Sequence, residues 1–219
     1  MTVTPVTCPN CADPVGPTDR FCETCGTDLV VRDSTSTAAG ALTDRACRGC
    51  GAVTGADDGE YCPDCGLRHR ERTDRIEIDL GDLAGVSDRG LVHSRNEDAM
   101  ALGRRLTAAW AAVVCDGVST SRTPEVASST AADHALEVLL SPRADGATRT
   151  LDAITAAAKA VAALDDHPTG PSCTLVSALV EPVAAEDGGG VEITVGWIGD
   201  SRAYWLAEPD AVEPARVLT

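Results

Sequence analysis

Apolar and polar residues are arranged differently in the two parts of the chain. Up to about residue 75 the apolar residues are too few to build a core, and they stand between Cys, Pro, Gly, Ser and Thr. From there regular patterns begin. "RIEIDL" (75–80) alternates as a strand does, and "LTAAWAAVVCDG" (106–117) is an apolar run that stops at Asp-Gly. "TPEVASSTAADHALEVLL" (123–140) and "TLDAITAAAKAVAAL" (150–164) read as helices, the first with Thr123 as N-cap and Pro124 in its first turn. Strands then return in "SCTLVSALVEPV" (172–183) and "VEITVGWIG" (191–199), which flank the turn signal "AAEDGGG", and "RAYWLA" (202–207) follows. Strands, two consecutive helices and strands again predict an α+β fold, not a βαβ repeat.

The cysteines change the picture of the first part. Eight of the ten fall within residues 8–65 as four C-x-x-C pairs: Cys8 and Cys11, Cys22 and Cys25, Cys47 and Cys50, Cys62 and Cys65. "RFCETCG" and "EYCPDCG" match in register, so the segment is a repeat. Two such knuckles offer four thiolates to one tetrahedral Zn²⁺. The competing reading, a redox C-x-x-C, comes singly beside a βαβ pattern, which is missing here. With so little apolar material, each module has to draw its folding free energy from the metal, on the order of 10 kcal/mol. The pair resembles the double zinc ribbons at the N-termini of many bacterial regulatory proteins. The expected division is a ribbon over 1–30, a linker over 31–45, a second ribbon over 46–68, a connector over 69–78 and a main domain over 79–219.

Charge limits the partners. The formal net charge is −16, and residues 1–70 carry six Arg against ten Asp and Glu. Phosphate backbones are bound through Lys and Arg, so nucleic acid is excluded and the ribbons are expected to dock proteins, a kinase or another signalling protein among them. No apolar run approaches the ~20 residues of a membrane span, and the start has no signal-peptide pattern. The expectation is a cytoplasmic protein whose cysteines bind metal and do not form disulfides.

In the main domain three carboxylate spots end apolar runs or adjoin them: Glu97 with Asp98, Asp116 before Gly117, and Asp200 before Ser201. Hard cations such as Mg²⁺ and Mn²⁺ prefer such oxygen donors, although Asp-Gly and Asp-Ser are also ordinary turn formers. "SDRGLVHSRNEDAM", "AVVCDGV", "PSCTLVSALV" and "WIGDSRAYWL" occur in the order and rough spacing of the metal-dependent serine/threonine protein phosphatases, the PPM or type 2C family, over residues 86–219. The resemblance implies an α-β-β-α sandwich, here partial, with two or three Mn²⁺ or Mg²⁺ at one edge. Phosphoserine and phosphothreonine in proteins would be hydrolysed there by a hydroxide held between two metals.

By that resemblance Asp116 bridges two cations, Gly117 gives its carbonyl, Glu97 reaches a cation directly or through water, Asp98 supports the ligands from behind, and Asp200 takes a weaker third cation. Two positions depart from the family pattern. His93 stands where most members have a phosphate-binding Arg, with Arg95 two positions later as the alternative donor, and "VSTSRTPE" follows Asp-Gly where a Gly-Gly-His run is usual. The family also continues past the point reached by "ARVLT" to two further strand-end aspartates. The 219 residues alone are therefore expected to hold too few ligands for two cations and to show no Mn²⁺-dependent turnover. The alternative function is a phosphatase-like protein without catalysis, used for binding or regulation.

Overall fold

The computed structural model describes residues 7–16, 18–41, 47, 50–53, 61–66, 74–106, 109–142, 145–165, 167, 169–183, 189–207 and 214–219. Its centre is a five-stranded antiparallel sheet made of β1 (Val30–Ser34), β4 (Asp98–Arg105), β5 (Ala109–Asp116), β6 (Leu175–Val183) and β7 (Gly190–Ile198), in that spatial order. Strands β2 (Arg75–Asp79) and β3 (Ala84–Asp88) form a separate hairpin, and β8 (Tyr204–Trp205) pairs with β9 (Arg216–Val217). The helices are α1 (Thr35–Ala41), α2 (Pro124–Leu139) and α3 (Gly146–Ala162).

Successive strand residues face opposite ways, and the two sheet faces have different fates. One face presents Ala99 and Ala101 from β4, Ala109, Ala111, Val113 and Cys115 from β5, and Leu175 and Leu179 from β6. These pack against Ala131, Ala132, Ala135, Leu136 and Leu139 of α2 and Ala153 and Ala157 of α3. Alanine on both sides lets the helices approach the sheet closely, so the core is dense although it holds no aromatic residue. On the other face Met100 and Leu102 meet Ile76 and Ile78 of the β2–β3 hairpin in a small second core. Farther along that face Val114 and Trp197 stay exposed.

Five parts of the sequence reading need correction or extension. The expected linker over 31–45 holds β1, which pairs with β4 from Val30 opposite Arg105 to Ser34 opposite Ala101, and then α1. Its Ser, Thr, Ala and Gly content reads as a linker, but an edge strand is satisfied by backbone hydrogen bonds whatever its side chains. Residues 42–45 of that linker, and 69–73 of the expected connector, lie outside the described residues, while β2 starts at Arg75. Thr123 does sit at the N-cap of α2, but in a left-handed conformation (φ 43°) and without a side-chain capping bond. Helix α3 begins at Gly146, earlier than expected, because Asp145 caps it by accepting from the Thr148 N–H at 2.9 Å. β4 starts inside the polar stretch "LVHSRNEDAM", whose charges hid its periodicity.

Candidate metal centres

The cysteine modules are built from tight knuckles. In each, the backbone after the second cysteine folds back, so that the N–H of Ala12 donates to the Cys8 carbonyl (2.9 Å), that of Gly26 to Cys22 (2.8 Å), that of Gly51 to Cys47 (2.7 Å) and that of Gly66 to Cys62 (2.9 Å). This turn requires a left-handed residue directly after the second cysteine. Gly26, Gly51 and Gly66 supply it, and Ala12 adopts it with φ 61°.

The knuckles then bring their sulfurs together in pairs. Cys8 Sγ lies 3.6 Å from Cys25 Sγ and Cys11 Sγ 3.5 Å from Cys22 Sγ, while in the second module Cys47 lies 3.5 Å from Cys65 and Cys50 3.7 Å from Cys62. A disulfide needs about 2.05 Å. Four sulfurs held tetrahedrally at ~2.3 Å from one Zn²⁺ stand about 3.8 Å apart, which is the spacing found. In each quartet all four ligand atoms fall within 4.8 Å of one another, the first cysteine of every knuckle being buried. The thiols also bear on each other's acidity. Cys25 is lowered to about 6, chiefly by the Thr27 hydroxyl and N–H. Cys11 is pushed up to about 12: the Asp13 N–H acts to lower it, but Cys25, burial and Cys22 outweigh that. Four crowded thiolates repel, and a dication at their centre removes the repulsion. The two cysteine quartets therefore fit structural Zn²⁺.

The second candidate lies where β4 begins and β5 ends. The strand register sets Asp98 directly opposite Asp116. The carboxyl of Asp98 is pushed above the usual range, by burial first and then by the facing Asp116. Gly117 continues the pairing, its N–H donating to the Glu97 carbonyl at 3.1 Å, and it forms a bridge with Cys173. No larger residue fits there, since a Cβ on Gly117 would stand 2.6 Å from the Pro124 carbonyl oxygen and 2.7 Å from that of Glu97. Helix α2 thus starts in direct contact with the rim, with the Ser128 hydroxyl also donating to the Glu97 carbonyl at 2.6 Å.

The side chain of Glu97 is already engaged. It accepts from the Ser119 hydroxyl and from Arg95 Nε at 3.0 Å, and Arg95 Nε also lies 3.3 Å from Glu125 Oε2. These donors, Ser119 first, hold the Glu97 carboxyl below its ordinary range. On the far side Thr174 ties the rim to the start of the Asp200 turn. Its N–H donates to the Asp116 carbonyl at 2.8 Å, its hydroxyl accepts from the Asp116 N–H at 3.2 Å, and the same hydroxyl bonds Ser201 Oγ at 2.6 Å. Gly199, with φ 93°, makes the turn that leads into Asp200.

Of the residues singled out from the sequence, Arg95, Glu97, Asp98, Asp116 and Gly117 gather at this rim. Asp200 is linked to it through Ser201 and Thr174, and His93 is exposed nearby, its carbonyl accepting from Arg89. Ser119, Glu125, Ser128 and Thr174 also serve the rim, and nothing in their sequence setting marks them for it. Oxygen donors of this kind suit a hard cation. Among the described residues, however, only the cysteine quartets bring three or more ligand atoms together, and the rim carboxylates do not.

Residues 8–66 match the family model for the double zinc ribbon. No curated protein and no solved structure matches the chain. Among the described residues no helix is long and apolar enough to cross a membrane.

Proposed function

We propose that the main domain is a metal-dependent protein serine/threonine phosphatase domain of the PPM type, carried behind a zinc-stabilised docking module. The observation that supports this best is the register pair of Asp98 and Asp116, two carboxylates held face to face at the ends of neighbouring strands with the Asp98 carboxyl pushed up. Such a pair is costly when both carboxyls are ionised, and either a proton on Asp98 or a cation between the two relieves it. Mn²⁺ or Mg²⁺ bound there would lower the pKa of an attacking water and neutralise charge on a phosphoryl group.

The chain's own part is to hold and orient. Asp116 is fixed at its backbone by Thr174, Gly117 lets β5 close onto α2, and Ser119 with Arg95 keeps Glu97 ionised beside the pair. Arg95 would have to leave Glu97 or Glu125 to meet a substrate phosphate, while exposed His93 offers a single donor where an arginine would offer two. Helices packed on one side of the main sheet and a hairpin on the other support this reading. A cytoplasmic setting suits eight thiolates that must stay reduced to bind zinc.

A second reading has its own support. Glu97 is closed off by Ser119 and Arg95, and among the described residues fewer than three carboxylates converge, as in a phosphatase-like protein that binds or regulates without catalysis. Phosphate release from a phosphothreonine peptide by zinc-loaded protein in Mn²⁺ separates the two. Turnover that vanishes in Asp116→Asn carries the first reading. Mn²⁺ binding without turnover carries the second.

A further inference from the structure

Although the two cysteine modules share one motif, they are joined to the chain in different ways. The first runs straight into the main sheet. Cys22 and Cys25 sit in a knuckle closed by the Phe21–Asp28 bridge, and the next residue, Leu29, is buried. The Leu29 N–H donates to the Arg20 carbonyl inside the module at 2.7 Å, while the Leu29 carbonyl accepts from the Leu106 N–H of the main domain at 3.1 Å. Val30 then begins β1, five residues of edge strand paired with the last five residues of β4, Ala101 to Arg105.

A side chain makes a second connection. The buried guanidinium of Arg105, at the end of β4, donates to the Asp19 carbonyl of the module at 3.2 Å and to the Leu140 carbonyl at the end of α2 at 3.1 Å. In the second module no strand of the main sheet continues from either knuckle among the described residues.

From this difference we propose that the first zinc site is a structural part of the main domain. Zinc held by its four cysteines would fix the backbone from Asp19 to Leu29, the segment that sets β1 against β4 and offers Arg105 the Asp19 carbonyl. By linkage, whatever the metal stabilises in the module it also stabilises in the sheet, and unfolding the sheet weakens the metal site by the same factor. Among the described residues the second site has no such connection to the sheet.

All three tryptophans, Trp110, Trp197 and Trp205, lie in the main domain, so their fluorescence reports its unfolding separately from the modules. Three zinc-loaded proteins are compared: the wild type, Cys22→Ser/Cys25→Ser and Cys62→Ser/Cys65→Ser. The first pair is expected to lower the tryptophan-monitored Tm by about 5 °C or more, since ~1 kcal/mol moves a domain of this size by ~2–4 °C. Hydrogen exchange in β4 from Ala101 to Arg105 should speed up with it. The second pair is expected to leave both unchanged. If the first variant does not fold, the Cys62→Ser/Cys65→Ser protein decides: its one remaining zinc should be released in urea at the same midpoint as the tryptophan transition. Release at a midpoint unrelated to that transition, or equal Tm losses from both variants, overturns the proposal.

Discussion

The cysteine quartets, which fit zinc, and the acidic rim, for which we propose a hard cation, are built in opposite ways. A quartet is closed: four soft sulfurs within 4.8 Å, on knuckles with almost no core beneath them. The rim is open: hard oxygens at the edge of a sheet whose own core of Ala, Val and Leu folds it without metal at the rim. Donor number and the source of stability thus separate a metal that makes a fold from one that a finished fold would only hold.

The largest effect should come from removing zinc. A strong chelator is expected to cost each module on the order of 10 kcal/mol and unfold it, with two equivalents of zinc released per chain. Release of one equivalent or none would break the comparison at its first term.

Next comes the packing of the rim. Gly117→Ala puts a methyl into the Pro124 and Glu97 carbonyls and should destabilise the main domain by about 2 kcal/mol in urea unfolding, as overpacking does. The second zinc module should not notice. A change below ~0.5 kcal/mol would mean that α2 can move away from the rim freely.

A smaller, stabilising effect is expected at Ala12, the one knuckle position that lacks its glycine. Ala12→Gly removes a left-handed alanine and should strengthen the first module by about 1 kcal/mol, seen as tighter zinc retention against a competing chelator. Weaker retention would show that the unfolded-state entropy of glycine outweighs the relief.

The smallest effect concerns pH. Because the folded-state pKa of Asp98 is raised, the folded chain keeps a proton there that the unfolded chain has already lost. Without added divalent cation, this residue's contribution to stability falls as pH rises through the window between the unfolded and folded pKa, and stays low above it. Asp116→Asn removes the facing charge and should flatten that slope. An unchanged slope in urea titrations across the acid range would assign the shift to burial alone.

What could be read from the sequence follows the same division. The quartets were legible because C-x-x-C spacing is itself the ligand geometry, the helices because they bury one face and so carry its period, and β5 to β7 because they are apolar runs bounded by turn residues. β1 was not, since an edge strand is defined by backbone pairing and "VVRDS" looks like any polar connection. Asp98, Asp116 and Gly117 could be named from their motif. That Arg95 and Ser119 would occupy Glu97 could not, because those bonds depend on how the loops after β5 and before β4 meet in space.

The claim that the rim is a hard-cation site is tested most directly by titrating Mn²⁺ into the zinc-loaded protein and following the free-ion EPR signal. The account predicts about one Mn²⁺ bound per chain, retained in Cys62→Ser/Cys65→Ser and lost in Asp116→Asn. No bound Mn²⁺ in the wild type, or the same binding in Asp116→Asn, would contradict it.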